Sequence, residues 1–175
     1  KPAKPPPAPE DDEDEASPSR NRVAGAAVLK VAVGKATRMY NAAAGGKPAR
    51  RALCCVVIGG RRRSGLRAAT GGVPGCPNWD GVSMEVSLSL EEWATQDFRV
   101  EFRDERPLAT PDALGFVFGG SLRDAATEPH AAADRPLEKS SGSVWDADAA
   151  PGASVAASAH VEPSAATLER AKNSG

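Results

Sequence analysis

Apolar residues recur at every second position along this chain, in one segment after another, and that period admits few folds. Leu29, Val31 and Val33 alternate with Lys30 and Ala32; Val82, Met84, Val86, Leu88 and Leu90 alternate with Ser83, Glu85, Ser87 and Ser89; Phe98, Val100 and Phe102 alternate with Arg99 and Glu101. A strand with one buried face has this period and a helix does not. Further strands are predicted at Leu53 to Ile58, Leu66 to Thr70, Leu114 to Phe118, a short piece near Val144-Trp145, and Val155 to Val161. Gly45-Gly46, Gly59-Gly60, Gly71-Gly72 and Gly119-Gly120 fall between them. Eight short strands so punctuated predict an all-β fold, an eight-stranded antiparallel β-sandwich. With four Phe, three Trp and one Tyr in 175 residues, its core rests on Val, Leu and Ala around a few large anchors. Trp79, Trp93 and Trp145 are assigned to packing, since tryptophans in or beside the strands of a small sandwich usually anchor its core.

The ends read differently. Residues 1–22 join a proline tract to the acidic run Glu10 to Glu15 and hold no large apolar residue, so they are expected to be a disordered linker. Residues 23–163 are the sandwich, and 164–175 a linker or the start of a helix with Ser164 as N-cap. Asp124 to Ser143 is polar and reads as a long surface loop, and Glu91 to Thr95 as a shorter one. A chain that starts at Lys1 and stops at Gly175 in a helix-like stretch is expected to be part of a longer protein, whose other domains are its first partners. No run of eighteen apolar residues and no signal-peptide core occurs, so a cytoplasmic setting, with peripheral attachment to membranes, is the expectation. Cys54, Cys55 and Cys76 are read as reduced and packed.

The order of these strand signatures resembles a C2 domain, the calcium/phospholipid-binding β-sandwich. Leu29, Val31, Val33, Ala36 and Met39 have the spacing of that family's first strand. Cys76-Pro77-Asn78-Trp79 is similar to its Asn-Pro-x-Trp turn. Val100 to Arg106, followed by Asp112-Ala113-Leu114-Gly115, is similar to its Val-x-Asp-x-Asp strand and Asp-x-Ile-Gly. Gly152 to Pro163 is similar to its closing strand. The resemblance implies a binding module, not an enzyme, with no cofactor.

It also implies a calcium site built from about five aspartates, as a hard cation needs oxygen ligands. Here that site is degenerate. No Asp or Glu occurs from Ala16 to Trp79, and only Asp104 and Asp112 stand at the family's ligand positions, with Arg106 between them. Those two are expected to pair with Arg106 or cap loop amides, leaving a calcium-independent member.

The acid-free interval holds twelve Lys and Arg, so a net charge of −1 hides a strong asymmetry. Arg50, Arg51, Arg61, Arg62, Arg63 and Arg67 are the candidate lipid-binding residues, with Arg61 to Arg63 in the hairpin after the second strand. The partner expected is an acidic phospholipid surface or a protein. A purely protein-binding scaffold is the alternative, and the arginines could also do no more than balance Glu85, Glu91, Glu92 and Glu101. Nucleic acid is not expected, because Tyr40 is the one stacking aromatic in the basic half. His130 and His160 have no recognisable catalytic partner, and Gly34-Lys35-Ala36-Thr37 lacks the glycine spacing of a phosphate loop.

Overall fold

A computed structural model describes residues 25–70, 72–138 and 153–165, together with Thr167, Glu169 and Asn173. Ten strands occur among them: β1 (Ala27–Thr37), β2 (Tyr40–Asn41), β3 (Lys47–Pro48), β4 (Ala52–Ile58), β5 (Arg61–Arg67), β6 (Asn78–Leu88), β7 (Asp97–Asp104), β8 (Asp112–Ser121), β9 (His130–Pro136) and β10 (Ser154–Pro163). Two helices, α1 (Leu90–Thr95) and α2 (Leu122–Thr127), lie between strands. β6-β1-β10-β9 form one antiparallel sheet and β5-β4-β7-β8 the other, while β2 and β3 pair as a short ribbon in the loop from β1 to β4. The chain is thus the antiparallel sandwich that its period-two segments predict.

Alternation places the core. Leu29, Val31, Val33, Ala36 and Met39 are all at most 1% exposed, and Val155, Ala157, Ala159 and Val161 line up beside β1 on the paired β10. From the other sheet come Cys54, Val56 and Ile58 of β4 and Phe98, Val100 and Phe102 of β7. Trp79 opens β6 buried, with its ring edge-on to Phe102 at 5.4 Å, and Trp93 packs part-buried against the same core. Trp145 and the strand expected near it lie outside the described residues. β4 is buried on both faces: Leu53, Cys55 and Val57 point away from the core and form a second apolar strip. Both thiols are free, and burial pushes Cys54 up to about 12, which keeps it unreactive.

Four local expectations need correction. The strand expected at Leu66 to Thr70 runs instead from Arg61 to Arg67, because Gly59 and Gly60 both adopt positive φ (56° and 79°) and close the hairpin in two residues. Arg61 to Arg63 therefore open the second strand of that hairpin. Leu90 leaves β6 to start α1, where Ser89 and Glu92 form a reciprocal capping box; Ser-x-x-Glu is a helix signal within a stretch that reads as loop. Between Asp124 and Ser143, expected to be all loop, the structure has the end of α2 and the edge strand β9. β9 shows no apolar alternation because most of its side chains face solvent; it is held by backbone pairing to β10. At the carboxyl end the Thr167 amide donates to the Ser164 hydroxyl (3.3 Å), as at a helix N-cap.

Candidate functional site

Register brings charge together on the outer face of the β5-β4-β7-β8 sheet. Residues paired across it form three rows: Arg62, Val57 and Arg99; Gly65, Cys55, Glu101 and Phe116; Arg67, Leu53, Arg103 and Ala113. Four arginines thus flank an apolar floor. Period two put Arg99 and Arg103 opposite the buried Phe98, Val100 and Phe102, so their outward orientation was legible. That they lie beside Arg62 and Arg67 was not, since it depends on β4 pairing with β7.

Glu101 occupies the middle of this face. Its carboxylate pairs with Arg99 on one oxygen and with Arg103, at 2.6 Å, on the other. Burial by itself raises its pKa, but the Arg103 hydrogen bond and the charges of Arg99 and Arg103 outweigh it, so the group titrates below the ordinary carboxylate range. Arg67 pairs with Glu105 at 2.8 Å. The Arg62 guanidinium lies over Gly65, and Arg99 also sits 5.3 Å above the Phe116 ring. Asp97 has the same parity as Arg99 and Glu101, so the face carries four arginines against Asp97, Glu101 and Glu105, while Arg61, exposed at the start of β5, pairs with the core residue Ile58 and stands at its edge. On the opposite sheet Lys30 meets two carboxylates, Glu85 and Glu162, and the His160 ring also meets Glu162.

The six candidate arginines divide into three groups. Arg61 and Arg62 are exposed and, among the described residues, make no ion pair. Arg63 is committed to the fold, bonding the Glu92 carboxylate of α1 and the Ser87 carbonyl of β6 (3.0 Å). Arg50, Arg51 and Arg67 line a cleft of about 730 Å³ between the loops that follow β1 and β5, with Lys47, Val73 and Glu105. Val73 (65% exposed) and Leu108 (fully exposed) are large apolar residues on the loops at this end of the sandwich.

Asp104 and Asp112, paired across β7 and β8, also lie here. The Asn41 side-chain nitrogen donates to both carboxylates, at 2.8 Å each. Asp104 also accepts the backbone amides of Arg50 (3.2 Å) and Arg51 (3.1 Å), and Asp112 pairs with Arg106. A divalent cation would need these oxygens turned to itself. An amide N–H and a guanidinium are turned to them instead, so the residues present do not fit calcium. Among the described residues, no three His, Cys, Asp or Glu side chains are grouped as a metal site. Asn41 is fully buried and was not singled out by the sequence, because its partners are 63 and 71 residues away. His130 packs on Phe118 (4.9 Å) and His160 pairs with Glu162; both histidines are accounted for by packing and surface pairing.

No family model matches the sequence, and no curated protein does. Among solved structures, the first-lettered (A) C2 domain of plant extended synaptotagmin 1 is similar, with a TM-score of 0.54 at 15% identity over 80% of this chain and 97% of that one. A piece of extended synaptotagmin 2 with its SMP domain and two C2 domains gives 0.53 at 15% identity, over 85% of this chain and 30% of that one. Human GIVD cytosolic phospholipase A2 gives 0.51 at 10% identity, over 81% and 16% respectively, so that likeness carries no catalytic argument.

Proposed function

Because the chain folds as a C2-like β-sandwich, we propose that it is a calcium-independent binding module, not an enzyme, which docks a larger cytosolic protein on acidic phospholipid membranes. The observation that carries this reading is the cluster of arginines along β5 and across the outer face of β5-β4-β7-β8. Arg61 and Arg62 supply charge free of intramolecular pairing, and the cleft with Arg50, Arg51 and Arg67 extends the basic surface toward the loops. Basic residues near an anionic membrane contribute roughly 1 kcal/mol each. The apolar Val73 and Leu108 suit the same boundary, where an apolar side chain gains by leaving water. Among the described residues no helix is long and apolar enough to cross a membrane, so attachment through such a surface is the mode proposed.

Co-sedimentation with neutral and acidic vesicles tests this. The chain is expected to pellet with acidic vesicles without calcium, and less as salt rises, since the Debye length is about 8 Å at physiological ionic strength. Arg61→Glu with Arg62→Glu is expected to weaken binding more than tenfold, because two attractions become repulsions. Arg63 is left intact, since its loss would disturb α1. Equal recovery of the double variant would remove this strand from the site. No recovery on any acidic vesicle would move the reading to a protein-binding scaffold.

Calcium is expected to bind neither tightly nor specifically. Calorimetry should show no saturable heat at micromolar calcium, and 1 mM calcium should leave the melting temperature unchanged, because a ligand stabilises only the state it binds. A micromolar dissociation constant would overturn the account of Asn41 and Arg106.

A further inference from the structure

We propose that the basic outer face is also the docking surface for the chain's own acidic run, Glu10-Asp11-Asp12-Glu13-Asp14-Glu15, which competes there with acidic lipid. The inference rests on the lipid reading for its consequence but not for the contact itself. Two observations carry it: complementary charge and the place where the tether enters the fold.

Six consecutive carboxylates precede the first described residue by about ten positions. The face offers Arg62 free of ion pairs, with the exposed Arg61 at its edge, beside Arg67, which pairs with Glu105, and Arg99 and Arg103, which share Glu101. No other part of the chain repeats such a run of one sign. The tether enters at the right place. The Ala26 amide donates to the Leu88 carbonyl at 2.7 Å, and the neighbouring Ser87 carbonyl accepts from Arg63 of β5. The described chain therefore begins beside the basic strand.

Distance is no obstacle. Ten linking residues span at most about 35 Å extended, and the seven residues of β5 cover about 23 Å at the usual rise. A short tether of this kind gives an effective concentration in the millimolar range, so individually weak, salt-screened pairings suffice for occupancy. A membrane displaces the run by offering a larger field of negative charge. The acidic run thus sets a threshold of anionic lipid below which the module stays free.

The test compares the full chain with one in which the run is neutralised (E10Q, D11N, D12N, E13Q, D14N, E15Q). The changes lie outside the sandwich and spare its folding. Amide nitrogen–proton spectra are expected to differ on β5 and around Arg99 and Arg103, and to converge in about 0.5 M salt, where the Debye length falls to a few ångströms. On vesicles of phosphatidylcholine with a fifth phosphatidylserine, the neutralised chain is expected to bind several-fold more tightly. Spectra that superimpose outside the substituted stretch would overturn the contact, even if vesicle binding tightened, because plain repulsion between run and vesicle would then explain it. Shifts on β5 with no vesicle binding by either chain would uphold the contact and remove only the lipid reading.

Discussion

Trp79→Ala is expected to lower unfolding free energy by about 4 kcal/mol, the usual cost of truncating a buried aromatic. Trp79 is 2% exposed, stands edge-on to Phe102 of the opposite sheet, and donates its indole N–H to the Leu66 carbonyl of β5 at 2.8 Å. One side chain thus ties β6 to both β5 and β7, joining the two sheets at the basic strand. Domains of this size are stable by roughly 5–15 kcal/mol, so the variant would sit near the edge of folding. Urea unfolding should show the midpoint falling by about 2 M, given slopes of about 2 kcal/mol per molar. Trp79→Phe keeps a ring against Phe102 and loses mainly the hydrogen bond, so about 1 kcal/mol is expected. An alanine variant within 1 kcal/mol of the parent would mean that the two sheets do not depend on this anchor.

Asp104→Ala is expected to cost about 3 kcal/mol and to loosen the loop that carries Arg50 and Arg51. The carboxylate is 7% exposed and accepts three N–H groups, from Asn41 and from the Arg50 and Arg51 backbones. Deleting it leaves one buried and two part-buried donors without this acceptor, and each costs about 1 kcal/mol. Asn41 already buries its side-chain oxygen without a partner among the described residues, so this site has no slack. Hydrogen exchange should speed up at the amides of Arg50 and Arg51 and stay unchanged in β10. Asp104→Asn should be milder, since it retains one acceptor oxygen. Unchanged exchange at both amides in the alanine variant would show that the loop is held by something else.

Asp104 illustrates how a residue can be found for one reason and matter for another. The resemblance singled it out as a calcium-ligand position, and pairing with Arg106 or capping of loop amides was the expected use of the two remaining aspartates. In the structure those uses divide: Asp112 pairs with Arg106, and Asp104 caps the amides of Arg50 and Arg51. Asn41 joins the two carboxylates. Nothing in the stretch Met39-Tyr40-Asn41-Ala42 announces that role, because hydrogen bonds between residues 63 and 71 positions apart leave no local pattern.

What could be read from the sequence alone was orientation. Alternation along β1, β7 and β10 told which side chains enter the core, because a strand's two faces follow from the backbone's own period. It failed for β9, an edge strand without a buried stripe, and for β5, whose start was set by the positive φ of Gly59 and Gly60. Adjacency was decided only by the tertiary structure. Arg62 and Arg99 are 37 positions apart in sequence and become neighbours because β4 lies between β5 and β7, placing Val57 between them. Side-chain period is a property of each strand by itself, whereas the order of strands in a sheet is settled by which long-range pairings bury the most apolar surface. A basic face made of residues from two strands exists only once that order is set.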